Sequence, residues 1–374
     1  MNKPDGTREH MVDNRLLSRK ERYFELSTQI ARLSDKALLR KVRQTGTGDS
    51  GWGVTQVIEI GDHRIFVKRI PVTDKELMNP YSTRNHYQMP LWYNYGVGSA
   101  GFGVFREIFS HIKTTNWVLS GECTDFPMTY HHRIVRDSLP LNTLDEENEQ
   151  ELADYQRYWG HSKRIGQYLR DRALTRHQVL LFLEWQPLAA GPWLMRNPRR
   201  TIPVLEQMMR VTEFLQQHHV VHFDAHMMNI LSDGKRSFLT DFGLVLDGEF
   251  DLNEQEHAFL AQHRQYDVGQ LLHGLAWPVT MPFNNPTLKQ QTIDRFRLRR
   301  ISDREFRTFV VTHVAELIDS GLLKLEPRTR DWAIRYGSVI DLMESFYTDM
   351  RAGSKKNHPF PHRKLARRLK SAQT

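Results

Sequence analysis

The run VVHFDAHMMN, residues 220–229, sets two histidines, an aspartate and an asparagine between apolar neighbours, and its flanks constrain the fold more than any other part of the chain. Ahead of it, Val204, Leu205, Met208, Met209, Val211 and Leu215 recur at helical spacing between Ile202 and His218. Behind it, NILS and SFLTDF read as two short strands joined at the turn pair Asp233-Gly234. A helix therefore delivers the chain into a polar loop, and a hairpin carries it out to Asp241. Asp224 is an acceptor that can orient and deprotonate a hydroxyl. Asn229 and Asp241 offer hard oxygens of the kind magnesium takes together with phosphate.

Upstream, the glycine cluster Gly46-Thr47-Gly48-Asp49-Ser50-Gly51 leads into two β-branched runs with Gly61-Asp62 between them, which predicts a strand, a hairpin and another strand carrying Lys68. A second glycine-rich stretch, YGVGSAGFG, opens a predicted helix at about Val104 that carries Glu107. Residues 7–42 space Leu, Phe and Ile as a helical extension does, and residues 143–175, opening on a possible capping box of Thr143 with Glu146, read as an inserted helical pair. VLLFLEW, residues 179–185, is the continuous apolar run of a buried strand. After Tyr266 the pattern is mostly helical.

The order and spacing of HFDAHMMN and DFG resemble the catalytic loop and metal-binding motif of the protein-kinase-like superfamily, and Gly46–Gly51 fits its G-x-G-x-x-G loop. The resemblance covers about residues 46–280 and implies an α+β, two-lobed fold with ATP and Mg2+ as cofactors. It divides the chain into a helical extension (1–45), a β-rich lobe with helical insertions (46–185), a helical lobe (186–350) and a basic tail (351–374). By the same resemblance, Gly46, Gly48, Ser50 and Gly51 cover the phosphates and Lys68 pairs with them. Glu107 is then the partner of Lys68, at a longer interval than the family's. The backbone of Glu184, Trp185 and Gln186 faces adenine, Asp224 is the catalytic base, and Asn229 and Asp241 hold the metal. Asp267 matches the aspartate that braces the loop from a buried helix, and His222 matches a structural histidine.

Several residues depart from that pattern. Phe223 stands where regulated protein kinases carry an arginine that reads a phosphorylated loop, and no Ser or Thr occurs from Phe242 to Val279. Control by phosphorylation of that segment is not expected. No A-P-E match follows. His226 stands where protein kinases have lysine, as in aminoglycoside and choline kinase relatives, and is a candidate γ-phosphate contact. DFG and the full glycine motif point instead to a Ser/Thr protein kinase. The acceptor, protein or small-molecule hydroxyl, stays open. So do two rival readings: a metallohydrolase using His222, Asp224 and His226, and a silent nucleotide-binding scaffold. A third, in which the motif residues serve local turns only, leaves their ordered co-occurrence unexplained.

Composition narrows the setting. An apolar fraction of 39% over 374 residues supports a sizeable core, and Cys123 is the one cysteine, so no intrachain disulfide forms. With no apolar run of signal or membrane-span length, no integral membrane association and a cytoplasmic setting are expected. The net charge of +8 equals the charge of residues 351–374 alone, which hold eight Lys or Arg and no acid. That tail reads as a solvated terminus or as a tether to an acidic partner.

Overall fold

Strands from the first half of the chain build a five-stranded antiparallel sheet in the spatial order β1-β2-β3-β5-β4. The computed structural model describes residues 6–45, 48–49, 53–138, 140–141, 146–353 and 356–372. It is mixed α+β, and its contacts divide it into two units. Unit 1 holds the chain up to Met89 together with Ala100–Pro187; unit 2 holds Pro90–Ser99 and the chain from Leu188.

Unit 1 runs α1 (Gly6–Ala31), α2 (Asp35–Arg43), β1 (Gly48–Asp49), β2 (Val54–Ile60), β3 (His63–Pro71), α3 (Asp74–Leu77), α4 (Val104–Ser120), β4 (Thr129–Arg136), α5 (Glu146–Tyr158), α6 (Lys163–Leu174) and β5 (His177–Glu184). Gly61 makes the β2–β3 turn at φ +57°, a conformation that needs no Cβ. Because strand residues alternate in direction, Phe66 and Ile70 of β3 share a face with Val179, Leu181 and Leu183 of β5. On that face they pack against Val104, Phe105 and Ile108 of α4. The alternate residues Ile65, Val67, Leu180 and Phe182 are buried as well, with α1 against β4 and α2 against β2. Burial on both faces explains why VLLFLEW is continuously apolar.

The predicted hairpin, the helix at Val104, the helical pair and the strand over 179–185 all form. The capping box of Thr143 with Glu146 lies outside the described residues. Strand β4 was not expected from sequence, since TYHHRIVR alternates no clean apolar face. Its residues His131 and Arg133 are only partly buried, and Arg133 turns to the α1–α2 connection, bonding Ala31 O at 3.0 Å and Asp35 Oδ1 at 3.0 Å.

The helical extension is part of unit 1. Arg19 of α1 makes a two-pronged ion pair with Glu184, Nε to Oε1 at 3.0 Å and Nη2 to Oε2 at 2.6 Å, and also donates to the carbonyls of Thr124 and Phe126. This planar fork ties α1 to the end of β5 and to the segment that precedes β4.

Unit 2 runs β6 (Leu188–Ala189), α7 (Ala190–Arg196), α8 (Thr201–Gln217), β7 (Val220–Val221), β8 (Ile230–Ser232), β9 (Ser237–Leu239), β10 (Leu246–Asp247), α9 (Glu254–Gln262), α10 (Tyr266–His273), α11 (Ala276–Thr280), α12 (Pro286–Arg295), α13 (Asp303–Thr312), α14 (Val314–Asp319), α15 (Pro327–Ala352) and α16 (His362–Ser371). The long helix α15 is its spine, with α8, α10 and α13 packed on it. Among the described residues no helix is long and apolar enough to cross a membrane.

Two boundaries differ from expectation. Pro90–Ser99, placed by the sequence within the β-rich lobe, belongs to unit 2, where Tyr93, Asn94 and Tyr95 are buried. The basic tail is not simply solvated. Lys356 donates to the carbonyls of Met350 and Arg351 at the end of α15, and α16 buries Leu365 and Leu369 against that helix while Arg363, Lys364, Arg367 and Lys370 stay exposed.

Replacing Arg19 by Ala removes the ion pair and leaves the buried Glu184 carboxylate to the Met128 amide. The expected loss is about 3–5 kcal/mol of unfolding free energy, read as a lower urea midpoint. A loss too small to measure would show that α1 does not hold β5.

Candidate active site

Lys68 sits between Phe66 and Ile70 on the face of β3 that α4 covers, and this alternation aims it at the first turn of α4. Its Nζ lies 2.7 Å from Glu107 Oε1, and both side chains are nearly buried, with exposures of 11% and 7%. The start of α4 is fixed by a residue that sequence reading missed. Glu76 Oε2 accepts from Thr73 N at 2.7 Å in a capping box, and Glu76 Oε1 accepts from Val104 N at 2.8 Å. The T-D-K-E pattern at residues 73–76 was the available signal.

The polar loop between β7 and β8 belongs to unit 2. Asp267, at the start of α10, is buried and accepts from two successive loop amides, His222 N at 2.7 Å and Phe223 N at 2.9 Å. Both amides converge on one carboxyl because Phe223 takes a left-handed φ of +63°. Burial lifts this carboxyl to about 7, against the two amide bonds that favour the anion. His222 Nδ1 accepts from Asp224 N at 3.2 Å, so Nε2 carries the proton toward Thr240 O, also at 3.2 Å. The ring is neutral, and burial lowers it to about 4.

Within the loop, Asn229 Nδ2 donates to Asp224 Oδ2 at 2.8 Å and to Asp224 O at 3.0 Å. His226 caps the turn that follows by accepting from Met228 N, and its Nε2 lies 3.4 Å from Asp224 Oδ1. The β8–β9 pairing then places Asn229 beside the strand end that carries Asp241, since Thr240 N donates to Asn229 O at 3.0 Å. Asp241 is held at φ +67°.

Phe223 is fully buried. Its ring lies 5.4 Å from Phe259, stacked, and 5.1 Å from Tyr266, with Tyr95 and His263 also in contact. An arginine here would need an anion; phenylalanine needs only its aromatic neighbours. His263 donates from Nδ1 to Phe259 O at 2.7 Å and accepts the Tyr95 hydroxyl at Nε2, 2.8 Å away. Burial holds it neutral, down to about 3.

The structure thus joins Lys68 with Glu107 in unit 1, and Asp224, His226 and Asn229 with the strand end carrying Asp241 in unit 2. Gly46, Ser50 and Gly51 lie outside the described residues, and Gly48 begins β1. Glu184, expected to face adenine with its backbone, has two of its polar groups engaged elsewhere. Its N–H goes to Met128 O at 2.8 Å and its carboxylate to Arg19, because the end of β5 is still paired as sheet. The Trp185 ring lies 5.2 Å from the Arg64 guanidinium.

No family model and no curated protein matches the chain. Among the described residues no group of three or more His, Cys, Asp or Glu is arranged to hold a metal ion. The hydrolase alternative loses His222 in particular, since both ring nitrogens are already hydrogen bonded.

Two outcomes test this site. Asp267→Ala orphans two buried amides and is expected to cost about 2–4 kcal/mol of stability, measured by urea unfolding; an unchanged midpoint would remove Asp267 from its bracing role. The neutral histidines set a pH dependence. Below their ordinary value of about 6.5 the unfolded chain binds protons that buried His222 and His263 refuse, so their contribution to stability falls as pH drops from 6.5 toward 4 and 3. Asp267 acts in the opposite sense between 3.8 and 7. Acidification from pH 7 to 4.5 should therefore destabilise the wild type more than His263→Gln, and an equal loss in both would contradict the neutral assignment.

Proposed function

We propose that the chain is an ATP-dependent phosphotransferase of protein-kinase-like, two-lobed fold, moving the γ-phosphoryl group to a hydroxyl. The observation that carries this reading is the double convergence of expected residues. A nearly buried Lys68–Glu107 pair joins a strand to a helix, and Asp267 braces a loop in which Asp224, Asn229 and the strand end before Asp241 come together. The strand order β1-β2-β3-β5-β4, with α4 between β3 and β4 in sequence, supports it as well.

In this reading Lys68 fixes nucleotide phosphates and Glu107 fixes Lys68. Asp224 orients the acceptor hydroxyl and takes its proton as the bond from the γ-phosphorus to the departing ADP oxygen breaks and the new P–O bond forms. The amide nitrogen of Asn229 is committed to Asp224, which leaves its amide oxygen, with Asp241, to hold magnesium; this hard-oxygen pair suits an ion that keeps phosphate oxygens in its shell. Bound magnesium supplies neutralisation of the phosphate charge. The protein's own part is positioning and charge placement, as phosphoryl transfer requires little else.

The packing of Phe223 supports activity without phosphorylation of the following segment, because the loop is already held by aromatic contact. Of the two acceptor classes, the surroundings of Asp224 favour a small molecule over the Ser/Thr protein acceptor to which the sequence motifs point. The exposed cations of α16 support an acidic partner, and the single cysteine a reducing, cytoplasmic setting.

Asp224→Ala and Asp241→Ala are each expected to lower Mg-ATP turnover at least a hundredfold with the thermal midpoint of the fold nearly unchanged, and chelation of magnesium should do the same to the wild type. If wild type and Asp224→Ala bind Mg-ATP yet turn it over equally poorly, the chain is a silent scaffold.

A further inference from the structure

Pro90–Ser99 packs against the loop that carries Asp224. Its middle residues are anchored deeply: Asn94 Nδ2 donates to Leu244 O at 2.9 Å, and Tyr95, bonded to His263, sets its ring 4.9 Å from Phe346 and 5.6 Å from Tyr266. Gly96 follows at once and fills the space beside the Asp224 carboxylate. A Cβ at this position would run into Asp224 Oδ1 and lie 3.1 Å from its Cγ and 3.2 Å from Phe223 O. The other carboxylate oxygen, Oδ2, is the one that Asn229 engages.

We propose that Gly96 is a specificity-determining residue. It roofs the acceptor position, so that a compact alcohol reaches Asp224 and the Ser or Thr of a polypeptide does not. The inference rests on the phosphotransferase reading and names its acceptor class. A peptide serine carries its hydroxyl one carbon from its own main chain, so that main chain has to come close to Asp224. The main chain at Gly96 already occupies space of that kind, near enough to leave no room for a methyl group.

The roof is not a loose flap. Lifting it exposes the buried rings of Tyr93 and Tyr95 to water. Beside the same loop, Met227 lines a cavity of about 290 Å³ with Leu194, Trp277 and Met281. That volume suits a small ligand with a largely apolar body. In the transfer the bond between the γ-phosphorus and the β-bridging oxygen breaks, the acceptor oxygen bonds to phosphorus, its proton passes to Asp224, and ADP leaves.

The test uses the full chain with Mg-ATP labelled in the γ-phosphate, alone and with dephosphorylated casein. Expected is label in inorganic phosphate, water being the smallest acceptor, with casein and the chain itself unlabelled. Label entering casein or the chain as fast as it enters phosphate would overturn the proposal. Mg-ATP that binds but is never turned over is the outcome of a silent scaffold and overturns the phosphotransferase reading, and this proposal with it. Absence of Mg-ATP binding in calorimetry overturns that reading as well. Gly96→Ala should lower kcat for hydrolysis at least tenfold while KM for Mg-ATP stays constant. A folded variant with unchanged kcat removes Gly96 from this role, and if the variant does not fold, the wild-type partition of label still decides.

Discussion

The buried carboxyl of Asp267 receives two successive amides, those of His222 and Phe223, and the geometry of the polar loop follows from that demand. A carboxyl without solvent has to find donors. Two neighbouring backbone N–H groups converge on it because Phe223 adopts a left-handed conformation, which for a bulky residue costs about 1–3 kcal/mol. The aromatic neighbours of Phe223 offset that strain by burying its ring. With Phe223 turned inward, Asp224 and Asn229 are held to each other by the Asn229 amide, and the hairpin that follows brings the chain to Asp241.

The same aromatic cluster explains why distant parts of the sequence meet in unit 2. Tyr95 enters from Pro90–Ser99, Phe259 and His263 from α9 and its end, Phe346 from α15, and Phe360 from the segment before α16. These rings hold Phe223 by aromatic packing. Unit 1 rests on a comparable economy of buried charge. Glu107 is paired with Lys68, Glu184 with Arg19, and Glu76 with the amides at the starts of α3 and α4. Glu107 and Glu184 each thereby fix a junction between helix and strand, and Glu76 fixes one between two helices.

Much of this was legible in the residues. Periodicity located α8, α4 and β5, turn pairs located the β2–β3 and β8–β9 hairpins, and the motifs named Lys68, Glu107, Asp224, Asn229, Asp241 and Asp267 before any distance was known. Reading failed where a residue's partner lies far along the chain. Arg19 looks like one more helix cation, and only the fold shows that it meets Glu184. Glu184 itself looked free to offer backbone groups, and the sheet had taken its N–H. The tail looked solvated because its charges outnumber Leu365 and Leu369, although those two leucines decide how it packs.

Local chemistry, then, was set by the sequence alone: hydrogen-bonding capacity, strand alternation, helical spacing and glycine freedom depend on neighbours a few residues away, and these named the elements and the polar groups of the site. Only the tertiary structure decided that Pro90–Ser99 leaves its sequence neighbours to pack in unit 2 and sets Gly96 against Asp224. That choice depends on where three buried side chains, Tyr93, Asn94 and Tyr95, find matching partners, and long-range packing of this kind leaves no periodic trace in a chain read one residue at a time.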